Sequence, residues 1–187
     1  MVANEDYNAY LLQRSSLGLI YRTYVLYPRI APYLKGRTLD VGCGIGDMLR
    51  FRAGTIGVDI NPRNVAYCQK QGLEAHVMGP DVLPFPAHSF ESLILDNVLE
   101  HIADPGPLLA EIHRVLQPGG TFVVGVPGIR GYASDADHKV FYDEASLMAT
   151  VAGSGFALRE TRHTPMRSRW LDKNMRQYCV YEIFSSL

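Results

Sequence analysis

Residues 38–46 read Thr38-Leu39-Asp40-Val41-Gly42-Cys43-Gly44-Ile45-Gly46, a short apolar strand that ends in three glycines alternating with single residues. Lacking side chains, Gly42, Gly44 and Gly46 allow positive φ and let a ligand lie almost against the main chain. A helix is expected from about Asp47, which aims the free N–H groups of its first turn into the same space. Thirteen residues beyond Gly46 the run Thr55-Ile56-Gly57-Val58-Asp59 closes a second apolar strand with a carboxylate. In a doubly wound sheet an acid at that point accepts hydrogen bonds from ribose hydroxyls. The stretch therefore predicts an α/β fold that binds a nucleoside cofactor.

The cofactor's charge is legible in the same letters. A dinucleotide site uses Gly-x-Gly-x-x-Gly and turns a helix start toward a pyrophosphate. Here the position three past Gly44 is Asp47, a carboxylate where two phosphate charges would lie. The Gly-x-Gly-x-Gly form preceded by Asp40 resembles motif I of the class I S-adenosylmethionine-dependent methyltransferases. Their ligand carries a sulfonium and an amino group, which suit an acidic turn.

Length and composition set wider bounds. At 187 residues and 47% hydrophobic content the chain is sized for one domain with a substantial core. A formal net charge of -1 gives no global electrostatic case for nucleic acid or membrane. The start, Met1-Val2-Ala3-Asn4-Glu5-Asp6, is acidic, and no apolar run is long enough to span a bilayer, so a cytoplasmic protein is expected. Cys43, Cys68 and Cys179 are odd in number and scattered, which reads as reduced thiols.

Taken in order, residues 1–36 form an expected helical arm, and residues 37–187 an α/β core. Within the arm, spacings of three and four among Tyr7, Tyr10, Tyr21, Tyr24, Tyr27, Tyr33 and the leucines predict two helices, broken near residues 15–18 and stopped by Pro28 and Pro32. Such an arm either lines an acceptor pocket with tyrosines or packs its rings on the sheet, and Arg14 is in reach of a cofactor carboxylate. Asn61 and Pro62 start a helix over 62–71, followed by a third strand over 74–78. Leu93 to Leu95 make a buried fourth strand that brings Asp96 out at the carboxyl edge, where ligands of open α/β sheets bind. A helix over 106–116, a fifth strand over 121–126, a helix over 144–152 capped by Asp143, and strands over 156–162 and 177–184 complete a seven-stranded, mostly parallel sheet, its last strand antiparallel.

The run from Leu83 to Val126 closely resembles the small type 11 methyltransferases in Leu83-Pro84-Phe85, Ser89-Phe90, Glu100-His101 and Arg114 to Gly120. Glu91 departs from the Asp usual after Ser-Phe, and Gly79 stands where the family carries an acid, two residues before Asp81. The resemblance implies S-adenosylmethionine as cofactor. Gly42 and Gly44 would admit its methionine portion, with Asp40 near the amino group and Asp59 on the ribose. Main-chain groups at Ile60 and Val82 would frame adenine, Asp81 would accept from its amino group, and Asp96 and Asn97 would close the remaining side.

A methyl acceptor that is a hydroxyl needs a base, and histidine suits neutral pH. Of the six histidines, His138, beside Asp135 and Asp137, and His101, one turn past Asp96, are the catalytic candidates; no His and carboxylate group has metal-ligand spacing, so no metal is expected. Arg159, Arg162, Arg167, Arg169, Lys173 and Arg176 form a basic stretch suited to a phosphorylated acceptor or to a solvated face. The expectation is a methyltransferase acting on a small molecule, with O-methylation of a sugar or other polar metabolite as the narrower form, working as monomer or homodimer without nucleic acid or membrane. The surface-polysaccharide flavour of that narrower form rests on the resemblance of residues 138–142 to such enzymes. An NAD-binding oxidoreductase and a non-catalytic cofactor-binding regulatory protein are the alternatives.

Overall fold

The computed structural model describes residues 16–187. Tyr7, Tyr10, Arg14 and the first of the two expected arm helices lie outside them. The sheet has seven strands: β1 Thr38–Val41, β2 Thr55–Asp59, β3 Ala75–Val77, β4 Phe90–Asp96, β5 Leu116–Pro127, β6 Phe156–Thr164 and β7 Cys179–Ser186. Their spatial order is β3-β2-β1-β4-β5-β7-β6. The first five run parallel, and β7 inserts antiparallel between β5 and β6. The order reverses between β1 and β4, so the crevice of a doubly wound sheet opens above their carboxyl ends.

Every residue of β1 and of β2 is buried, as strands covered by helices on both faces must be. One core cluster joins Leu39, Val58, Leu93, Leu95, Phe122 and Val124 to the Leu108, Leu109 and Ile112 face of the helix Gly106–Val115. A second cluster, on Ile94, Val123, Tyr181 and Ile183, is covered by Leu26, Tyr27 and Ile30 of the arm.

The arm differs from expectation. Helix α1, Ser16–Tyr21, has no break at Gly18 and passes through a π turn, Arg22–Leu26, into α2, Tyr27–Ile30. Pro28 does not stop it. The Tyr27 N–H reaches back five residues to the Arg22 carbonyl, and this wider turn removes the need for the bond that Pro28, lacking an N–H, cannot make. Tyr27 is buried while Tyr24 lies 74% exposed. Of the arm tyrosines, then, Tyr27 packs on the sheet, and the hydroxyl of Tyr33 pairs with Glu160 and Arg162.

Candidate active site

The glycine turn is stitched to the end of β2. The N–H groups of Gly42 and Cys43 both donate to the Val58 carbonyl, at 2.8 and 2.9 Å. Gly44 N–H donates to Asp59 Oδ2 at 2.8 Å, and Asn61 N–H donates to Asp59 Oδ1 at 2.8 Å. Each carboxylate oxygen thus takes a main-chain donor, and the Asn64 side chain is a further hydrogen-bond partner of the group. Burial raises the Asp59 carboxyl above its usual range, and the Asn61 and Gly44 amides oppose that rise. Gly42, Gly44 and Gly46 have φ of 75°, 54° and 81°. At Gly42 a Cβ would also stand 2.5 Å from a Val98 methyl, so both the conformation and the space exclude a side chain.

Asp40 is only 5% exposed. Burial first and the Asp96 charge second hold its carboxyl well above the usual range, with Arg22 acting in the opposite direction. Asp96, at the end of β4, accepts from Arg22 Nη2 and from the Tyr181 hydroxyl, both at 2.5 Å, and from Asn97 Nδ2 at 2.8 Å. Asn97 takes the left-handed conformation, φ 55°, and anchors its N–H on the Gly125 carbonyl. Arg22 also lies 3.7 Å from Asp47 and 3.0 Å from the Tyr27 hydroxyl. The cation of the site is therefore Arg22, which the sequence reading did not select. Its signal was present: it lies one turn before the buried Leu26, a charge on the apolar face of the arm.

Between the turn and helix α5 (Gly106–Val115, after α3 Asp47–Phe51 and α4 Pro62–Lys70) is a cleft of about 390 Å³ including its mouth. Gly42, Ile60, Met78, Asp81, Val98 and Ile102 line it. Ile60 and Asp81 are thus brought together with the glycine turn. Val82 is not on that lining; its side chain is 62% exposed and its carbonyl accepts from Gly79 N–H.

The second group of predicted residues meets one turn past Asp96. Leu99–His101 is a short 3₁₀ turn, and the Glu100 carbonyl accepts from the N–H groups of Lys139 and Val140 at 2.8 and 3.1 Å. These bonds clamp the loop after β5 onto the turn. Glu100 is 1% exposed and both of its carboxylate oxygens lack a hydrogen-bond partner. Burial pushes its carboxyl up to about 8. His138 Nδ1 donates to the Tyr132 carbonyl at 2.7 Å, and its Nε2 stands 3.7 Å from Glu100 Oε1. The His138 ring lies between Tyr132, stacked at 5.2 Å, and His101, at 4.6 Å between centroids. Burial and the neighbouring His138 lower the His101 imidazole.

The basic stretch does not stand as a free patch. Arg159 donates to Ser185, Arg162 to the Tyr33 hydroxyl, and Arg167 to Glu144. Among the described residues no helix is long and apolar enough to cross a membrane.

A parallel sheet that reverses at β1 and β4, a glycine turn bound to the acid of β2, and an antiparallel β7 define the class I S-adenosylmethionine-dependent methyltransferase fold. Residues 39–124, a little under half of the chain, match the family described as a methyltransferase domain. It is 29% identical over 153 residues, 75% of this chain and 60% of the relative, to a probable S-adenosylmethionine-dependent methyltransferase of Mycolicibacterium smegmatis. It is 24% identical over 171 residues, 75% of this chain and 68% of the relative, to a ubiquinone biosynthesis O-methyltransferase of Parvibaculum lavamentivorans. A solved S-adenosylmethionine-dependent methyltransferase of Thermotoga maritima superposes with a TM-score of 0.80 at 17% identity, covering 99% of both chains. On two of its curated matches the chain spans about three fifths of the relative's own length.

The residues fit S-adenosylmethionine. Asp40, Asp47, Asp59 and Asp96 surround the turn with carboxyl oxygens that suit ammonium and hydroxyl donors, and Arg22 is already paired with two of them, so the site offers little to a diphosphate.

Proposed function

We propose that the protein transfers a methyl group from S-adenosylmethionine to a hydroxyl of a small polar molecule. The observation that carries the reading is the Asp59 carboxylate, buried yet held open by two main-chain amides beside an acid-rich glycine turn. Bound S-adenosylmethionine supplies a methyl group on a sulfonium, already activated for displacement. Asp59 would accept from the ribose hydroxyls, and Asp40 with Asp96 would face the amino acid end. Ile60 and Asp81, which line the cleft, would bound the adenine. Since little covalent help is needed, the protein's main contribution is placement, which supplies about 7 to 11 kcal/mol when reacting atoms are held in near-attack geometry.

On the acceptor side the reading assigns the polar cluster of Glu100, His101 and His138. With Nδ1 donating to Tyr132, a neutral His138 carries its lone pair on Nε2, the nitrogen that would take a hydroxyl proton. Proton removal by such a group is worth about 100- to 10,000-fold. A sugar or other polar metabolite remains the favoured acceptor, and the O-methyltransferase relative supports oxygen as the target atom. The basic stretch gives less support to a phosphorylated acceptor than its letters suggested, because three of its arginines bond to the chain's own side chains.

Titration calorimetry with S-adenosylhomocysteine and NADH, followed by methyl transfer to a panel of hydroxylated metabolites, tests the proposal. Adenosylhomocysteine should bind and NADH should not. His138→Ala should slow turnover at unchanged adenosylhomocysteine affinity, and equal turnover would remove His138 from the mechanism. Tight adenosylhomocysteine binding with no transfer to any acceptor would favour the regulatory reading.

A further inference from the structure

Glu100 is buried to 1% exposure and neither of its carboxylate oxygens meets a hydrogen-bond donor. An ionised carboxylate in that state costs several kcal/mol unless it takes up a proton or a cation completes it. Around it stand two imidazoles, and one oxygen of Glu100 with one nitrogen from each of His101 and His138 lie within 4.8 Å of one another. The closest measured pair, Glu100 Oε1 and His138 Nε2, is 3.7 Å apart. Ligand atoms of a tetrahedral zinc ion, each about 2.1 Å from the metal, are roughly 3.4 Å apart. Small side-chain rotations bring this cluster to that spacing.

The surroundings prepare the same outcome. His138 Nδ1 donates to the Tyr132 carbonyl at 2.7 Å, and His101 Nδ1 to the Asp137 carbonyl at 3.3 Å. Metal-bound histidines characteristically give their second nitrogen to a carbonyl or carboxylate in this way, which fixes the tautomer and leaves a lone pair on the other nitrogen. With Nδ1 on the Tyr132 carbonyl, His138 turns Nε2 toward Glu100 Oε1 at 3.7 Å, a pair of ligand atoms that one cation would bridge. Asp96 and Asp135 add negative charge around Glu100.

We infer that Glu100, His101 and His138 form a binding site for one divalent transition-metal cation of the zinc type, with a coordination position left for the oxygen of the methyl acceptor. Two imidazoles and one carboxylate select zinc and its first-row neighbours over magnesium and calcium, which prefer all-oxygen shells. Three protein ligands with an open position are the mark of a catalytic rather than a structural site. Glu100 follows Asp96, the last residue of β4, by four residues, and Val98 between them packs on Gly42, so the ion would stand next to the cofactor turn. Cation binding itself needs only the three side chains. The acceptor role rests on the methyltransferase reading above; with the ion bound, His138 would serve as a ligand and the metal would take over from it the task of ionising the acceptor hydroxyl, which narrows the acceptor to a hydroxyl that a metal can ionise. It replaces the expectation, drawn from spacing along the chain, that no metal is held.

The full-length protein, stripped with chelator, is titrated with Zn²⁺ by calorimetry and with Co²⁺ by visible absorption, and adenosylhomocysteine affinity is measured in parallel. One ion per chain is expected, with the d–d absorption of Co²⁺ in a low-coordinate N/O site. Glu100→Gln and His138→Ala should each weaken binding by at least about 10-fold, while adenosylhomocysteine affinity stays within about two-fold, which excludes collapse of the fold. His101→Asn, a change on the more exposed ring, provides a second test if either buried variant fails to fold. The three cysteines are buried, so an ion that persists in the His101→Asn/His138→Ala double variant would be bound elsewhere and would overturn the site. Failure of Zn²⁺ and Co²⁺ to bind the wild type would overturn it too, whether or not adenosylhomocysteine binds. Metal binding without adenosylhomocysteine binding would leave the site standing and remove the methyltransferase reading.

Discussion

Single side chains decide what this crevice binds. Asp59 is the clearest, because both its oxygens are positioned by main-chain amides that belong to the glycine turn. Asp59→Ala removes the carboxylate proposed to take the ribose, together with the brace that shapes the turn. Charged hydrogen bonds are each worth about 1.5–3 kcal/mol, so calorimetry should show adenosylhomocysteine binding weakened by about 10-fold or more. The circular dichroism spectrum should be unchanged. Arg22 is the second deciding residue, joining the arm to Asp96 and Asp47. Arg22→Met leaves Asp96 without its cation and should lower unfolding free energy by about 1–3 kcal/mol in urea titrations, with weaker adenosylhomocysteine binding. Unaltered binding would mean that the guanidinium serves the arm alone. Asp40, Gly42, Gly44 and Asp59 were readable along the chain because they are close in sequence and ride on two adjacent strands. Arg22 was not, since its partner Asp96 lies 74 positions away.

Whole elements carry constraints that no residue shows alone. The arm passes Pro28 because the π turn before it shifts the hydrogen-bond pattern by one residue, a device invisible to a rule that ends helices at proline. Strand β5 begins at Leu116, five residues earlier than its apolar pattern indicates, because Leu116 already pairs with Phe90. In the middle of that strand Gly125 lies between Asp96 and Tyr181 in register. A Cβ there would stand 2.1 Å from the Tyr181 ring, so the glycine is the gap through which Tyr181 reaches Asp96. Gly125→Ala should destabilise the fold by about 1–3 kcal/mol through overpacking, and the near-ultraviolet tyrosine signal should change as the ring is displaced. If the variant melts with the wild type, the ring has another resting place.

At the scale of the whole molecule, inserting β7 between β5 and β6 buries an acid one strand in from the edge of the sheet. Glu182 is 1% exposed. Burial pushes its carboxyl from 4.5 up to about 7, with the Glu144 charge adding to the rise. The folded chain therefore keeps this proton up to about pH 7, whereas the unfolded chain releases it above about pH 4.5. Between those values the unfolded state binds fewer protons, so stability from this group falls as pH rises and levels off above about 7. A shift of that size corresponds to about 3 kcal/mol. Glu182→Gln should be more stable than wild type at pH 8, with the advantage shrinking toward pH 5 in paired thermal melts. A constant difference across that range would detach the effect from this proton.

The sequence by itself determined the succession of the seven strands, the mostly parallel α/β class, and the glycine turn with the acid of the second strand. Those features are written in local terms: apolar runs, glycines at a turn, and an acid one strand over, each within reach of a short stretch of chain. Only the tertiary structure decided that Glu100, His101 and His138 meet, with the buried Glu100 carboxyl beside the paired imidazoles, and that Arg22 is the cation beside Asp96. The physical reason is that burial and unpaired hydrogen-bonding capacity belong to the folded surroundings. The loop after β5 closes on Glu100 from some forty positions away, and no spacing along the chain records that closure.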